Sequence, residues 1–578
     1  MPNPLFFLFK TKYFYESIIY IIGVRVSMHF ASAKERTNTE MTNIAKQVLS
    51  RFSNKQSRTA DTPVTKYLTG RQFNVYGTLG QGFVVVSKDD DFSPILGYSD
   101  SDFTQDNMPC GFRWWISQLD KSLEVRKLNH EIYYPISFVT ATSNNFIKTS
   151  WNQQAPYNHL CPMVDGKAAP TGCVATAMAQ IMYYFKYPMS GKGKATYTVF
   201  DNDNNTSYDI DINSTYAWEK MKVRYLRPVD TDDAVATLMR DAGASSKMQY
   251  SAQSSGTSDF YAAKGFGDNF RYDSLAIKRY ARNFYSDEEW MEIVSSELEE
   301  QRPILYCGQD PIDGGHAFIL DGINENGLVH VNWGWSGSGN GWYDINVLKP
   351  TSYGGSGLGE GEGFNDSQSM VFGFKCQETP DPNEENFSLW VTDSCEFLVE
   401  ENKLYLCLTD LYNLNCRYFD GTVDVVLEDV GNSNNRQLSN IIDTNGSDDN
   451  EPIAPGYGYL FADDNDNPRE YDLSEDFSSI KAGNYKLYIG SKSESESAYK
   501  IVRGNGGPVG FDLSVAEDGT MTITKSGNTT GISKIEYQSV AKKTHIYDLS
   551  GKELPQSNSS LHGIMIVKQG KITRKIIR

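Results

Sequence analysis

Positive charge is in deficit across this 578-residue sequence, in which 54 lysines and arginines face 73 acidic residues for a net charge of -19. Nucleic-acid binding needs a basic surface, so this composition argues against a nucleic-acid partner. Long apolar runs are also lacking, which argues against a transmembrane anchor. Disorder is excluded by a content of 39% hydrophobic and 13% aromatic residues. The length predicts about three or four folded domains.

Paired cysteine motifs are absent as well. The eight cysteines include no CxxC pair and no Cys/His spacing of the kind that binds zinc. We therefore expect no metal site and no complete disulfide framework. Most of these thiols are expected to be small buried apolar groups.

The first 33 residues have the layout of a signal peptide. Two lysines precede an apolar stretch over residues 17–24, and the small residues 31–33 follow it. Arg25 and His29 interrupt this pattern, and an amphipathic N-terminal helix is the alternative interpretation. We interpret residues 1–33 as a signal peptide, which predicts a secreted or cell-surface protein.

Residues 34–140 are expected to form a compact α+β unit. Apolar residues at helical spacing over 44–52 predict a first helix, and residues 73–76 and 82–87 have the composition of strands separated by glycine turns. A second helical pattern includes residues 114–119.

Residues 141–376 place helical patterns first and strand patterns second. Apolar spacing after Cys173 predicts a buried helix that Pro188 ends, and acidic residues open a second helix over 287–300. Alternating strand patterns begin after Arg302.

A proline-rich and acidic linker leads to two all-β regions. Short alternating segments over 387–525 predict an Ig-like β-sandwich, and residues 526–578 predict a separate small β unit. Within the middle region, alternate glycines over 354–363 suggest a flap that orders over a cleft when substrate binds.

Cys173 follows Gly172 at the start of a predicted helix, where free backbone N–H groups favour a thiolate. A helix N-terminus and a nearby imidazolium lower a thiol pKa from about 8.5 to between about 3.5 and 7.5. This predicts a nucleophile, and a buried structural cysteine is the alternative.

His316 follows two glycines, including Gly315, that would let another segment approach closely. Asn332 lies on the following strand, where its amide could hold the tautomer of the imidazole. Two indoles, Trp333 and Trp335, are expected to shield this pair from water.

A nucleophile that attacks a carbonyl also needs a donor for the oxyanion. Gln153 is our candidate to act with the backbone N–H of Cys173, and Gln154 is its alternative. His330 alternates with two valines along a strand and is interpreted as structural.

Residues 151–158, 170–182, 315–318 and 331–335 form four blocks that, in this order along the chain, resemble the streptopain family of papain-like cysteine peptidases. A second set of blocks, residues 82–90, 94–98 and 107–109, resembles the inhibitory propeptide of the same family.

This resemblance implies an α+β fold, with a papain-like two-lobed catalytic domain of one helical lobe and one antiparallel β lobe. An α+β prodomain would precede it and all-β domains would follow. It further implies a cysteine endopeptidase made as a zymogen, with its own prodomain as intramolecular inhibitor, protein or peptide substrates, and no cofactor. The implied roles are nucleophile for Cys173, general base and acid for His316, orienter for Asn332 and oxyanion donor for Gln153, with Trp333, Trp335 and Gly315 in support.

The C-terminal block resembles sorting domains of the type IX secretion route, and a final pair of sandwich strands is the alternative. Two other functions stay open. A transglutaminase-like acyltransferase would share the thiol and imidazole. A surface adhesin would carry an inert peptidase-like region.

Overall fold

The computed structural model describes most of the chain from residue 34 onward. The predicted signal peptide, the segment 139–144 and the proposed flap over 354–363 lie outside the described residues. Among the helices described, none is long and apolar enough to cross a membrane. The described ranges are 34–52, 63–106, 108–138, 145–201, 204–225, 233–310, 314–348, 368–384, 387–392, 395–444, 451–462, 467–494 and 496–526, followed by four short C-terminal strands.

The described residues form six α-helices. Capping boxes start two of them, with Thr37 and Ser286 as the N-cap residues, and each box satisfies two backbone N–H groups at the helix start. The helices are α1 (Asn38–Leu49), α2 (Cys110–Leu128), α3 (Cys173–Phe185), α4 (Asp233–Ser245), α5 (Asp259–Asp268) and α6 (Asp287–Glu299).

Seventeen strands precede the linker in the described part of the chain. They are β1 (Thr65–Thr69), β2 (Phe73–Thr78), β3 (Gly82–Ser87), β4 (Ile95–Ser99), β5 (Ser137–Phe138), β6 (Met163–Val164), β7 (Lys167–Ala168), β8 (Lys194–Asp201), β9 (Asn204–Asp211), β10 (Gln249–Tyr250), β11 (Ser255–Gly256), β12 (Lys278–Ala281), β13 (Ile304–Asp310), β14 (Gly314–Ile323), β15 (Val329–Asn332), β16 (Gly341–Tyr343) and β17 (Gln368–Phe372).

Seventeen further strands follow the linker. They are β18 (Cys395–Glu400), β19 (Lys403–Leu408), β20 (Asp410–Tyr412), β21 (Gly421–Asp429), β22 (Asn432–Asp443), β23 (Gly458–Leu460), β24 (Arg469–Asp472), β25 (Gly483–Ser493), β26 (Lys500–Ile501), β27 (Arg503–Gly504), β28 (Gly507–Pro508), β29 (Gly510–Val515), β30 (Met521–Lys525), β31 (Thr544–Tyr547), β32 (Glu553–Leu554), β33 (Ile564–Gln569) and β34 (Ile572–Ile577).

One antiparallel sheet of ten strands runs through both the predicted prodomain and the peptidase region. Its order is β1-β2-β3-β4-β16-β15-β14-β13-β17-β12. The join lies between β4 and β16, where Tyr98 pairs with Trp342 and Gly97 with Tyr343. A Cβ at Gly97 would lie 2.5 Å from the Tyr343 ring, so glycine is required there. The two regions therefore share one backbone hydrogen-bond network.

The two faces of this sheet are covered by different helices. Ala317 and Ile319 of β14 face a core that includes α3, α4 and α5. Phe318 and Leu320 face the opposite core, which includes apolar residues of α2 and α6. Helices α3 to α5 thus form a helical lobe on one face, and α2, from the predicted prodomain, covers part of the other. The prediction of an α+β fold is confirmed.

The region after the linker has its own apolar core between antiparallel sheets, and it contacts the peptidase region through Arg503. The Arg503 guanidinium donates to the Phe284 carbonyl at 3.0 Å and to the Glu289 carboxylate at 2.9 Å. It also lies over the ring of Tyr285. Among the C-terminal strands, β34 pairs with β5 from the end of the predicted prodomain.

Candidate active site

Helix α3 begins at Cys173, and the residue before it has to be glycine. Gly172 has a φ of +86°, in the left-handed region that disfavours a side chain. A Cβ there would also lie 2.6 Å from the Met248 side chain. The half-buried Cys173 therefore stands at the first turn of α3, with the backbone N–H groups of that turn around its sulfur.

A hydrogen bond connects this thiol to strand β14. The backbone N–H of Ala317 donates to Cys173 Sγ at 3.4 Å. His316 is the residue directly before Ala317, so two segments far apart in sequence meet at the cysteine. The structure thus brings the two predicted reacting segments together.

The pKa of Cys173 differs from the sequence-based prediction. Burial raises the pKa of the thiol above its usual value, because a thiolate there loses contact with water. The N–H groups of Ala317, Val174 and Cys173 itself favour the thiolate but do not outweigh burial. In the full-length chain the pKa of Cys173 is therefore raised and not lowered, and the predicted contribution of an imidazolium stays a prediction.

The direction of β14 determines the face on which His316 belongs. His316 lies opposite Gly308 in the ladder, and side chains alternate along a strand. This alternation groups it with Phe318, on the face that α2 covers. A Cβ at Gly308 would lie 2.3 Å from Trp114 of α2, which shows how closely the prodomain helix approaches this face.

The described residues do not show the close approach of another segment that was expected at Gly315. Gly315 is exposed, and a Cβ at this position would meet no described atom within 4 Å. Strand β13 pairs with it through Gln309 at ordinary ladder spacing.

Asn332 is buried, and both groups of its side-chain amide have defined partners. Its Nδ2 donates to the Thr149 carbonyl at 2.8 Å and to Gln180 Oε1 at 3.3 Å. Its Oδ1 accepts from the Gly334 N–H at 3.1 Å. Asn332 pairs with Ile319, whose side chain faces the α3 side of the sheet, whereas alternation assigns His316 to the α2 side. The role of Asn332 toward His316 therefore stays a prediction for the processed enzyme.

Gln153 lies beside the start of α3. Its backbone carbonyl accepts from the N–H of Thr171, two residues before the cysteine, at 3.1 Å. The loop is also attached to the turn after β15, since Ser336 donates its N–H to the Trp151 carbonyl and Asn152 donates to the Ser336 hydroxyl. The structure thus attaches the backbone of Gln153 to the residue two positions before the cysteine, and the action of its side chain as an oxyanion donor stays a prediction.

The two indoles occupy different environments. Trp333 is buried, packs against Phe318 with ring centroids 4.7 Å apart, and donates its N–H to the Gly339 carbonyl. It lies on the α2 side of the sheet, where a Cβ at Gly111 would come within 2.8 Å of its ring. Trp335 is half-buried.

Two polar groups next to this site were not predicted from the sequence. Gln180 of α3 is fully buried and contacts both Asn332 and Trp151. Asp321 is fully buried and lies 2.5 Å from His330 Nδ1, which gives that histidine a structural partner. An amide within an otherwise apolar helix was the available signal for Gln180.

A cysteine at a helix start, a histidine on an adjoining strand and a covering N-terminal domain together define the class of thiol proteases made as inactive precursors. The family comparisons agree. Residues 151–343 match the peptidase C10 family, and residues 26–123 match the Spi protease inhibitor.

The chain belongs to the streptopain family of cysteine peptidases, as its sequence predicted. It is 32% identical to streptopain of Streptococcus pyogenes, over 53% of this chain and 82% of streptopain. It is also 32% identical to the thiol protease/hemagglutinin PrtT of Porphyromonas gingivalis, over 51% of this chain and only 36% of PrtT. A prointerpain A fragment of Prevotella intermedia is 33% identical, over 54% of this chain and 98% of the fragment, with a TM-score of 0.47.

Proposed function

We propose that this chain is a secreted cysteine endopeptidase made as a zymogen, with Cys173 as its nucleophile and His316 as its general base and acid. The contact between Cys173 Sγ and the N–H of Ala317 carries this proposal, because Ala317 directly follows residue 316 in the chain. Asn332 orients the imidazole, and Gln153 donates to the oxyanion. Trp333 and Trp335 support the turn that follows Asn332.

The reaction is peptide-bond hydrolysis in two steps. His316 takes the thiol proton as Cys173 attacks the carbonyl carbon, and the C–N bond breaks as His316 returns that proton to the leaving amine. In the second step His316 takes a proton from water as its oxygen attacks the acyl carbon; the C–S bond of the thioester then breaks, the carboxylic acid leaves, and His316 returns the proton to the Cys173 sulfur. Gln153 and the Cys173 N–H stabilise both tetrahedral intermediates. Protein or peptide chains are the substrates, and no cofactor takes part in these steps.

The prodomain, residues 34–140, keeps the enzyme inactive by occupying the face of β14 on which His316 belongs. Trp114 and Gly111 of α2 lie against that side of the sheet. Burial also keeps Cys173 neutral. Cleavage near residues 140–148 would release α2, restore water to the cleft and let the imidazole approach the thiol.

The remaining regions are assigned as parts of an exported protein. Residues 1–33 are the export signal, residues 141–376 the catalytic domain, residues 387–525 a β-sandwich and residues 526–578 a sorting domain. The signal layout of the N-terminus supports export. N-terminal sequencing of the protein from culture supernatant tests two boundaries together, the end of the export signal and the end of the prodomain.

The nucleophile is tested by Cys173→Ala, with Cys161→Ala as the matched control. Cys161 is also buried in the helical lobe, and burial raises the pKa of its thiol to about 12. We expect the first variant to lose peptidase activity and labelling by an epoxide thiol inhibitor, and the second to keep both. An active Cys173→Ala variant would end the proposal. Conjugation of an added amine to casein, without fragments, would instead support the acyltransferase alternative.

A further inference from the structure

Gln180 is a buried polar residue to which the proposed reaction assigns no role. It lies on α3 about two helical turns after Cys173, and therefore on the same side of the helix. Its side chain is fully buried. We propose that Gln180 is a positioning residue that holds the Asn332 amide and the Gln153 loop in their reactive arrangement. This inference rests on the proposed function.

The orientation of the Gln180 amide is fixed by a backbone group. Gln180 Oε1 accepts from the Trp151 N–H at 3.3 Å. A backbone N–H can only donate, so the oxygen of Gln180 has to face it. The same oxygen accepts from Asn332 Nδ2 at 3.3 Å. Gln180 Nε2 has no partner among the described residues, so the side chain is held through its oxygen alone.

The orientation of the Asn332 amide follows in the same way. The Thr149 carbonyl can only accept, so it requires the Nδ2 side of Asn332, and the Gly334 N–H requires the Oδ1 side. With Gln180 in place, both hydrogens on Nδ2 are used. Asn332 can then interact with an imidazole only as an acceptor, through the second lone pair of Oδ1. Once the His316 ring has turned from the α2 face to the α3 face after processing, this acceptor selects the tautomer of His316 whose other ring nitrogen is free to take the thiol proton.

Gln180 also acts on the oxyanion side. The Trp151 N–H that it binds lies two residues before Gln153, and the Gln153 carbonyl is bonded to Thr171 beside the cysteine. The Gln180 amide, on the helix that begins at Cys173, therefore contacts both Asn332 and the loop that contains Gln153. Losing it would leave the N–H of Trp151 and one hydrogen of Asn332 buried without an acceptor.

The test compares full-length variants that are processed in trans by tagged wild-type enzyme, which is then removed. Gln180→Met keeps the volume but removes the acceptor. We expect it to lower kcat by about 10- to 100-fold with little change in KM, as small displacements of reacting groups do. The alkaline limb of the kcat/KM profile should move to lower pH, because an imidazolium without its acceptor releases its proton more easily.

Gln180→Glu keeps an oxygen at the same reach and should retain more of kcat than Gln180→Met. Gln180→Asn, which withdraws the amide by one methylene, should behave like the Met variant and carries the test if that variant does not fold. The matched control is Ser245→Ala, which removes a buried hydrogen bond to Asn269 in the helical lobe. It should lower the melting temperature and leave the pH profile unchanged.

The inference is overturned if folded Gln180→Met or Gln180→Asn keeps the wild-type kcat and pH profile while only its melting temperature falls. That result would leave the proposed function intact, provided that Cys173→Ala is inactive. Activity in Cys173→Ala would overturn the proposed function itself, whatever the Gln180 variants show.

Discussion

Asp344 makes the stability of the zymogen depend on pH, and Asp344→Asn should remove that dependence. This fully buried carboxylate lies where the prodomain meets the catalytic sheet. Its Oδ1 accepts from the Tyr133 hydroxyl at 2.8 Å and from the N–H groups of Asn346 and Val347. Its Oδ2 has no partner among the described residues.

Burial raises the pKa of Asp344 from 3.8 to about 6, although the Tyr133 hydrogen bond and the Arg126 charge act against it. The folded protein therefore binds one more proton than the unfolded chain between those two values. The free energy of unfolding falls as the pH rises through this window and is then constant above about pH 6. At about 1.36 kcal/mol per pKa unit, the loss is about 3 kcal/mol.

The measurement is urea denaturation of Cys173→Ala, with and without Asp344→Asn, between pH 4 and pH 8. An asparagine keeps the acceptor but carries no charge, so the free energy of unfolding of this variant should rise relative to that of its aspartate parent by about 2 kcal/mol from pH 4 to pH 7. The other charged groups facing this site are common to both proteins and cancel. Tyr133→Phe is the control: it keeps the carboxyl, loses a donor that lowers its pKa, and should extend the window to higher pH. A stability difference that is the same at every pH would refute the reasoning.

Three further outcomes are expected. Gly172→Ala should lower the free energy of unfolding by about 1–3 kcal/mol, because it forces a side chain into the left-handed region and against Met248. Urea denaturation measures this change, and an unchanged midpoint would contradict it. Arg503→Ala removes the guanidinium that donates to Glu289 and to the Phe284 carbonyl, so limited proteolysis should cut the linker between the peptidase and sandwich regions faster than in the parent. Cys173 in the intact zymogen should react slowly with iodoacetamide at pH 7 and faster as the pH rises toward 9, because burial raises the pKa of its thiol. Equal alkylation rates of Cys173 before and after processing would falsify this.

Local signals accounted for the helices that the sequence predicted. Cys173 opens α3 after a glycine, Pro188 follows its end, and acidic residues with a serine cap open α6. These signals act over a few residues and can be read directly. Helices α4 and α5 were missed, since the apolar pattern there is short and is interrupted by glycine and serine.

The long-range features could not be obtained in this way. The pairing of β4 with β16 joins residues far apart in the chain, and neither strand has a sequence feature that identifies the other as its partner. The candidate site shows the same division. Motifs located Cys173 and His316, but the pKa of the thiol depends on burial, which is a property of the packed structure.

The join between β4 and β16 has a consequence for the processed enzyme. When the four prodomain strands depart, β16 becomes the border of the remaining sheet, with unsatisfied main-chain groups open to any extended peptide. This strand has only three residues, Gly341–Tyr343. Very short edge strands are one of the ways in which proteins avoid edge-to-edge association with copies of themselves. Shedding a large part of its sheet thus leaves the protease only a small surface for self-association.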